Sequence, residues 1–453
     1  MILSSRRKFI LQTSTALIGT GIAVTLPLEA LAKSVRRVSA NDKINFGLIG
    51  CKGMGWTDMR TQLMNVPEAN CIALADVDQS VLDERAANVE ELRGKRPKLF
   101  TDYRKLLEMK DLDAVIIATP DHWHCLIFCD ALSAGKHIYS EKPLANSIEE
   151  CNIMLSAAKR AGKMVQIGQW QRSGVHYQQA HNYLKTGKLG NIRLVKCWAY
   201  QGWMKPVPVT PDSAPPLGVD YDMWLGPAQK RPFNPNRFHF NFRWYWDYAG
   251  GLMTDWGVHE IDIALFFMGV SAPKSVIASG GKLAYPDDAS ETPDTLQAVF
   301  EYEKFNLLWE HAVGIDGGPY GKPEGIAFIG NYGTMVVNRD GWEVIPETKR
   351  NDEGILMYNI EDLPDQRKAN NANYVADHAK NFVAAMQAND ASLLKCGIET
   401  GAVAAINAHM GNVAYKTGRK VYWDAAKGEF KNDPEANLLT KAHYQNGWKL
   451  PTM

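Results

Sequence analysis

The segment GLIGCKGMG, residues 47–55, places the strongest constraint on how this chain folds. It ends an apolar run, Ile44–Gly50, whose length is typical of a short buried strand. A helix pattern over Trp56–Val66 follows at once. A strand, a glycine-rich turn and a helix in this order predict a turn at which a ligand can approach the backbone closely.

The glycines of this turn only partly fit the dinucleotide-binding pattern G-x-G-x-x-G. Gly50 and Gly55 fit its first and third positions, whereas Lys52 occupies the second. Gly53, next to Lys52, is expected to take the role of letting backbone approach a diphosphate. We therefore predict that these four residues and Met54 contact the cofactor.

An acid stands where such a fold binds the ribose of a nucleotide. The second apolar strand, Cys71–Ala75, ends at Asp76 in the sequence ALADVD. A carboxylate at this position accepts hydrogen bonds from the ribose diol and repels the additional phosphate of NADP, and Asp78 adds to that repulsion. The sequence therefore predicts a preference for NAD over NADP.

Strand and helix patterns alternate over residues 44–168 and then stop. Short apolar strands alternating with helices predict a doubly wound parallel sheet. Ser147-x-x-Glu150 is a candidate capping box, and Gly162 can end that helix. The remaining expected elements are helices over 78–93 and 122–134 and strands over Asp113–Ala118, 136–140 and Lys163–Gly168.

The rest of the chain predicts two further regions, residues 169–371 and 372–453. A strand pattern at Ile192–Tyr200 precedes a long irregular insertion, 201–245, rich in Pro, Trp, Phe and Asn. Several strand patterns over 274–340 predict an antiparallel sheet. The last region returns to helical periodicity, so we expect its helices to pack on the other domains.

Composition excludes several classes of protein. The 453 residues contain 50 Lys plus Arg and 50 Asp plus Glu, so no basic excess indicates nucleic-acid binding. Seven Cys, mostly in apolar patterns, indicate thiols and not a disulfide framework. His122, His124, Cys125 and Cys129 are close together, but no second cluster has matching spacing, so we predict no metal site.

The N-terminal segment, residues 1–32, has the parts of an export signal in order. Arg6 and Arg7 precede a mildly apolar stretch, and a small-residue sequence ends at Ala32. The arginine pair resembles the address read by the twin-arginine (Tat) system, which predicts cleavage near Ala32 and a periplasmic or otherwise exported protein. The stretch is too short for stable membrane insertion. The alternative is a disordered basic tail, and residues 33–43 are a predicted linker.

The sequence YSEKPLA follows the fourth strand, at the edge of the sheet where ligands bind. Pro143 biases Lys142 toward an extended backbone, so we expect the lysine side chain to reach the cleft. A desolvated ammonium there suits proton transfer. The alternative is a solvated loop lysine.

The stretch GGLMTDWGVHEIDIALFFMG, residues 250–269, carries acids and a histidine on an otherwise apolar segment. In one helix over 252–268, Asp255 and His259 share a face and Asp262 lies on nearly the same face. Such a face suits a polar cleft, where His259 can exchange a proton with a substrate hydroxyl and Asp255 can orient it. A structural Asp–His pair is the alternative.

In order along the chain, GLIGCKGMG, ALADVD, ATPDHWH, EKPLA and DWGVHEID resemble the Gfo/Idh/MocA family of oxidoreductases. The resemblance covers almost everything after the signal segment. It implies an α/β protein with an N-terminal Rossmann domain and a C-terminal α/β domain with a large open, mainly antiparallel sheet. It also implies NAD or NADP, a carbohydrate or polyol substrate, and a homo-oligomer, a dimer or tetramer.

The same resemblance assigns roles to individual residues. It implies Lys142, Asp255 and His259 as the catalytic set, and places Gln169 and Arg172, in GQWQRS, near the nicotinamide or substrate. Aromatic residues of the insertion and its end could stack on a sugar ring, with Asp262 also at the substrate; they are Trp203, Trp224, Trp244, Trp246 and Tyr248. The residues it places near the cofactor are Gly50, Gly53, Gly55, Asp76, Thr119, Pro120, His124 and Glu141.

The function predicted from these features is hydride transfer between a sugar or polyol hydroxyl and a tightly bound NAD. The alternative within the same family is an NAD-dependent glycoside hydrolase that acts by transient oxidation, elimination and water addition. A non-enzymatic sugar-binding protein is a third reading, and the intact Lys–Asp–His set argues against it.

Overall fold

The computed structural model describes residues 43–360, 362–365, 367–368 and 373–452. The predicted signal segment, 1–32, and all of the predicted linker except Lys43 lie outside the described residues. No helix in the described part of the chain is both long and apolar enough to cross a membrane.

The N-terminal domain is a six-stranded parallel sheet in the order β3-β2-β1-β4-β5-β6. The expected doubly wound Rossmann architecture is therefore confirmed. The edge strand Lys98–Phe100 was not expected, because it has three residues and none of them is fully buried. The strands are β1 Ile44–Ile49, β2 Ala69–Ala75, β3 Lys98–Phe100, β4 Ala114–Ile117, β5 His137–Ser140 and β6 Val165–Ile167.

Five α-helices connect these strands: α1 Gly53–Asn65, α2 Gln79–Arg93, α3 Tyr103–Leu107, α4 His124–Ser133 and α5 Ile148–Ala161. The first begins at Gly53, three residues earlier than expected, so the glycine turn is also the first turn of the helix. The capping box is confirmed, since the Glu150 N–H donates to Ser147 Oγ at 3.2 Å. Gly162 ends α5 with a left-handed φ of 59°.

The second domain is built on a ten-stranded sheet in which only the central pair, β7 and β10, is parallel. The expected large, mainly antiparallel sheet is confirmed. Its strand order is β16-β13-β12-β11-β7-β10-β9-β8-β17-β18. These strands are β7 Leu194–Gln201, β8 Ser275–Gly281, β9 Thr295–Glu301, β10 Asn306–Val313, β11 Glu324–Ile329, β12 Gly333–Asn338, β13 Gly341–Pro346, β16 Arg367–Lys368, β17 Val421–Asp424 and β18 Glu429–Phe430; a separate hairpin pairs β14 Thr348–Arg350 with β15 Leu356–Tyr358.

Helices cover one face of this sheet and connect it to the first domain. They are α6 Val175–Lys185, α7 Tyr221–Leu225, α8 Gly251–Asp255, α9 Gly257–Met268, α10 Tyr374–Ala388, α11 Ile398–Thr417 and α12 Pro434–Leu438. Helix α11 contributes Ala402 and Ala405 to the core of the N-terminal domain and Ala408 and Val413 to that of the second. Helix α10 packs Phe382 against Phe46 of the parallel sheet.

The expectation of one helix over 252–268 is wrong. Two helices, α8 and α9, are separated by a turn at Trp256. The irregular insertion 201–245 forms a small apolar core of its own, in which Trp224, Phe238 and Trp244 are buried. This core holds the insertion against the mouth of the cleft described below.

Candidate active site

A cleft of about 730 Å³ lies where the carboxyl ends of the parallel strands meet the second domain and the insertion. This is the edge at which parallel α/β sheets bind ligands, and the volume lies within the range of small-molecule sites. The residues of the glycine turn line one end of the cleft, and Lys142, Asp255 and His259 line the other.

The glycines make the turn fit a close-approaching ligand. Gly53 has a left-handed φ of 51°, and a Cβ there would meet nothing within 4 Å, so this side of the turn is open. A Cβ on Gly50 would lie 2.6 Å from the Ala118 carbonyl oxygen, and one on Gly55 would lie 2.0 Å from the Gly50 carbonyl oxygen. Helix α1 therefore packs tightly on the sheet and directs its N-terminal N–H groups toward the cleft, where they can bind a diphosphate.

Asp76 stands at the end of β2 and lines the cleft. Its Oδ2 accepts from the Cys51 N–H at 2.7 Å, and its Oδ1 accepts from the Asp78 N–H at 3.0 Å. Burial raises the pKa of this carboxyl to about 6, although these backbone donors oppose the rise. The two hydrogen bonds fix the carboxylate in the place where a nucleotide ribose is bound in this fold.

The residues present fit a dinucleotide. An open glycine turn, a fixed acid and the predicted contacts Lys52, Met54 and Pro120 all line the same end of the cleft. Thr119 also lines it, and its buried Oγ1 has no partner in the protein. A bound cofactor would supply the missing partner.

Three of the residues predicted near the cofactor stand behind the wall of the cleft. Gly55 packs against the backbone of Gly50, as described above. The two ring nitrogens of His124 lie 2.8 Å from the Pro143 carbonyl oxygen and 2.9 Å from that of Thr119. Gln169 donates to the Val258 carbonyl oxygen at 3.3 Å. His124 and Gln169 thus connect segments that line the cleft, and none of the three lines it.

Lys142 and Asp255 form a short ion pair across the domain boundary. Lys142 Nζ donates to Asp255 Oδ1 at 2.7 Å and to the Asp255 carbonyl oxygen at 3.0 Å. Burial disfavours the charged carboxyl, but Lys142 and Arg243 more than offset that effect and lower the pKa of Asp255 to about 2. The lysine ammonium is therefore fixed at the end of β5 by an acid that stays ionised.

His259 lies beside this pair as a neutral imidazole. Burial, reinforced by the charges of Lys142 and Arg339, lowers the pKa of His259 well below its usual value. Its Nδ1 is buried and has no partner in the protein. A neutral histidine at a cleft can accept a proton, which is the state that a general base requires.

Six residues predicted at the substrate do not line the cleft: Arg172, Trp203, Trp244, Trp246, Tyr248 and Asp262. Arg172 and Asp262 pair with each other instead, with Nε 2.7 Å and Nη2 2.8 Å from the two carboxylate oxygens. Asp262 lies in the same helix as His259, and its side chain is engaged by Arg172 outside the cleft. Trp246 packs against Tyr415 and Lys416, and Tyr248 is buried in the core of the insertion.

Four charged residues that sequence reasoning missed do line the cleft: Arg85, Asp121, Arg243 and Arg339. Burial raises the pKa of Asp121 to about 8, although Lys142 opposes the rise. Its position in ATPDHWH, between the predicted Pro120 and His124, was the signal that could have identified it.

Glu141, predicted near the cofactor, has an unexpected neighbour. Asp58 of helix α1 lies beside it, and both carboxyls are buried. Burial and the proximity of the two acids raise the pKa of Asp58 well above its usual value, and burial raises that of Glu141 to about 7. The pair is expected to keep one shared proton, because two adjacent buried carboxylates cannot both ionise.

Two models of one protein family match the chain. The NAD-binding Rossmann-fold model of the Gfo/Idh/MocA oxidoreductase family matches residues 44–169, and the C-terminal α/β-domain model of that family matches residues 195–307. Together the two matches cover more than half of the chain.

Two curated relatives show the range of the similarity. The chain is 25% identical over 243 residues to the uncharacterized oxidoreductase YrbE of Bacillus subtilis, covering 54% of this chain and 59% of that protein. It is 26% identical over 202 residues to an alpha-N-acetylgalactosaminidase of Shewanella oneidensis, covering 41% of this chain and 44% of that enzyme. The chain thus matches less than two thirds of the length of either relative.

The similarity to a solved structure covers most of the chain. A levoglucosan dehydrogenase in complex with NADH superimposes with a TM-score of 0.63 at 20% identity, covering 84% of this chain and 99% of that one. Together with the two family matches and the cleft, this places the chain in the Gfo/Idh/MocA family of oxidoreductases.

Proposed function

We propose that the protein is an NAD-dependent oxidoreductase that transfers a hydride between a hydroxyl-bearing carbon of a sugar or polyol and the cofactor. The observation that carries the proposal is the Lys142–Asp255 ion pair beside neutral His259, at the far end of a cleft that begins at the glycine turn. Bound NAD would supply the hydride acceptor.

The side chains at this end have three separate roles in the proposed reaction. Neutral His259 accepts the proton of the substrate hydroxyl, because its lowered pKa keeps it unprotonated. The Lys142 ammonium, fixed by Asp255, donates a hydrogen bond to the reacting oxygen and stabilises negative charge that develops on it. Trp170 and Trp256, on either side of His259, exclude water from the reacting atoms.

We also propose that the cofactor stays bound between turnovers. Residues of the insertion 201–245 line the cleft, and the insertion makes two contacts with Asp78, which precedes helix α2. His239 Nε2 lies 3.0 Å from Asp78 Oδ2, and Val219 forms a β-bridge with the same aspartate. Release of a dinucleotide would require these contacts to open.

Replacing Lys142 by Met should lower turnover by at least about hundredfold while cofactor binding is retained, because the hydrogen bond that stabilises charge on the reacting oxygen is lost but the glycine turn is not. The measurement is nicotinamide reduction by the as-isolated protein across a panel of sugars and polyols, with bound NAD quantified separately. Lys159→Met, at an exposed lysine of α5, is the matched control. Undiminished turnover in a folded, NAD-loaded Lys142→Met protein would contradict the role given to Lys142.

Asp76 is proposed to select NAD over NADP. Its carboxylate form accepts the ribose hydroxyls, and its pKa is about 6, so NAD affinity should decrease as the pH falls through about 6. Asp76→Asn should bind NAD more weakly, without this pH dependence and with less discrimination against NADP. Calorimetric titration of cofactor-free protein measures both, with Asp83→Asn on the exposed face of α2 as control. Tighter binding of NADP than of NAD by the native protein would refute the preference.

A redox-assisted glycosidase is the second candidate, because one of the similar proteins is an alpha-N-acetylgalactosaminidase. The same cleft can oxidise a ring hydroxyl transiently, and the aglycone then leaves by elimination before water adds and the hydride returns. Steady release of nitrophenol from nitrophenyl N-acetylgalactosaminide, without net accumulation of NADH, is the expected result for this candidate. Net NADH accumulation with free sugars and no nitrophenol release would favour the dehydrogenase.

We further propose that the protein forms a homo-oligomer through the uncovered face of the large sheet. Ile277, Val299 and Leu308 are paired across β8, β9 and β10, so their side chains form one apolar row on that face. Ile277 and Val299 are 45% and 36% exposed. A second copy would bury this row. Sedimentation velocity should show a dimer or tetramer, and a monomer at micromolar concentration would rule this interface out.

A further inference from the structure

Two guanidinium groups face the substrate end of the cleft, and the proposed hydride transfer uses neither of them. Arg339 comes from the turn between β12 and β13, and Arg243 comes from the end of the insertion. The guanidinium carbon of Arg339 lies 4.5 Å from the ring centre of Trp170 and 4.2 Å from that of Trp256. Both groups are thus held by aromatic rings in a fixed place beside His259.

Most of the donor capacity of Arg339 is unused. A guanidinium has five N–H donors. Arg339 donates to Gln171 Oε1 at 3.3 Å, and its buried Nε has no partner in the protein. Among the described residues, no ion pair within 4 Å includes Arg339. The backbone at Arg339 is also fixed, because its backbone N–H donates to Glu324 Oε1 at 3.2 Å.

Arg243 also has few polar partners and is supported by aromatic rings. Its Nε lies 3.5 Å from Asp255 Oδ2, too far and too poorly aligned for a hydrogen bond, and Nη1 donates to the Phe240 carbonyl oxygen. Its guanidinium carbon lies 4.2 Å from the ring centre of Phe240 and 5.0 Å from that of Phe242. The cation is therefore supported by ring faces and lacks a close carboxylate of its own.

The acids at this end of the cleft are protonated or engaged by other groups. Lys142, Arg243 and Arg339 all act on the ionised carboxylate of Asp255, which accepts a hydrogen bond from Lys142. Asp121 is mostly protonated at neutral pH because burial raises its pKa to about 8. The Glu141 carboxyl shares one proton with its neighbour, so that pair keeps one negative charge, beside Lys142.

The acids behind Arg339 do not form an ion pair with it. Burial raises the pKa values of Glu260 and Glu324, and Arg339 opposes both rises. Neither acid lies within ion-pair distance of Arg339 among the contacts of the described residues. Arg339 therefore has guanidinium donors without a carboxylate partner, and a ligand that accepts from them would pair this cation.

The geometry points to a substrate that carries an oxyanion, bound by Arg339 and Arg243, so that the sugar oxidised here is a sugar acid. This inference rests on the proposed oxidoreductase function and specifies its substrate class. A guanidinium fork binds carboxylates and phosphates alike. The ionised Asp255 lies at the same end and would repel a doubly charged phosphate ester more strongly than one carboxylate, so we assign a carboxylate.

The diphosphate of the cofactor does not account for these two arginines. The glycine turn has its own N-terminal helix N–H groups for a diphosphate, and Lys52 and Arg85 also line the cleft as cations. An oxidised nicotinamide carries a positive charge, so the proposed cofactor would increase the preference for an anionic substrate at this end.

The test compares matched compounds on the native holoprotein. D-glucuronate, D-galacturonate, glucose 6-phosphate, D-glucose and D-galactose are titrated into the NADH-loaded protein by calorimetry, which measures recognition without turnover. The same compounds are then assayed for nicotinamide reduction in the NAD-loaded protein. At least one sugar acid should bind about tenfold or more tightly than its neutral counterpart.

Arg339→Met keeps an apolar side chain between the two indoles and removes the fork. It should raise KM for the sugar acid by about tenfold to hundredfold and change KM for the neutral sugar little, with NAD content unchanged. Arg339→Lys, which keeps the charge without the fork, should fall between Met and native. Arg160→Met, at an exposed arginine of α5, is the matched control and should behave as the native protein.

The outcomes separate this inference from the proposed function. Sugar acids that bind no more tightly than neutral sugars, or glucose 6-phosphate that binds more tightly than the acids, would overturn the assignment. Equal loss of acid and neutral turnover in Arg339→Met would also overturn it, because a purely structural role has that effect. Selective binding of sugar acids without any nicotinamide reduction would support the oxyanion site and refute the oxidoreductase.

Discussion

The ion pair between Lys142 and Asp255 is the contact on which the arrangement of the cleft depends. It joins residues 113 positions apart in the chain, Lys142 just after the parallel strand β5 and Asp255 at the end of helix α8. Removing one partner of such a buried pair typically costs about 3–5 kcal/mol. The pair sets the charge state of its surroundings as well, since the Lys142 cation helps to keep His259 neutral.

The residues that the sequence located correctly in the cleft are those with a local signal. Gly50, Gly53 and Asp76 each follow an apolar strand, and the carboxyl ends of parallel strands meet at one edge whatever the rest of the chain does. Lys142 follows the same rule at the end of β5. For Asp255 and His259 the signal was the cost of ionisable groups on an apolar segment, which requires a polar cavity or partners.

The sequence did not show what depends on contacts between distant segments. Asp262 looked equivalent to His259 by helical spacing, but its partner, Arg172, lies 90 residues away and gives it a buried pair outside the cleft. Arg339 lies in an ordinary strand turn, with nothing in its neighbours to indicate that it reaches the cleft. Arg243 had a weak signal as a lone cation among the aromatic residues of the insertion.

Aromatic rings bring distant segments together at the cleft. Trp256, at the turn between α8 and α9, has its ring in the wall of the cleft. Arg339 then stacks between that indole and Trp170, which follows the last strand of the parallel sheet. One guanidinium thus contacts an element of each domain, and its distance from His259 is set by rings and not by a flexible ion pair. A site built this way is rigid before any ligand arrives, which lowers the entropy lost when an anionic group is bound.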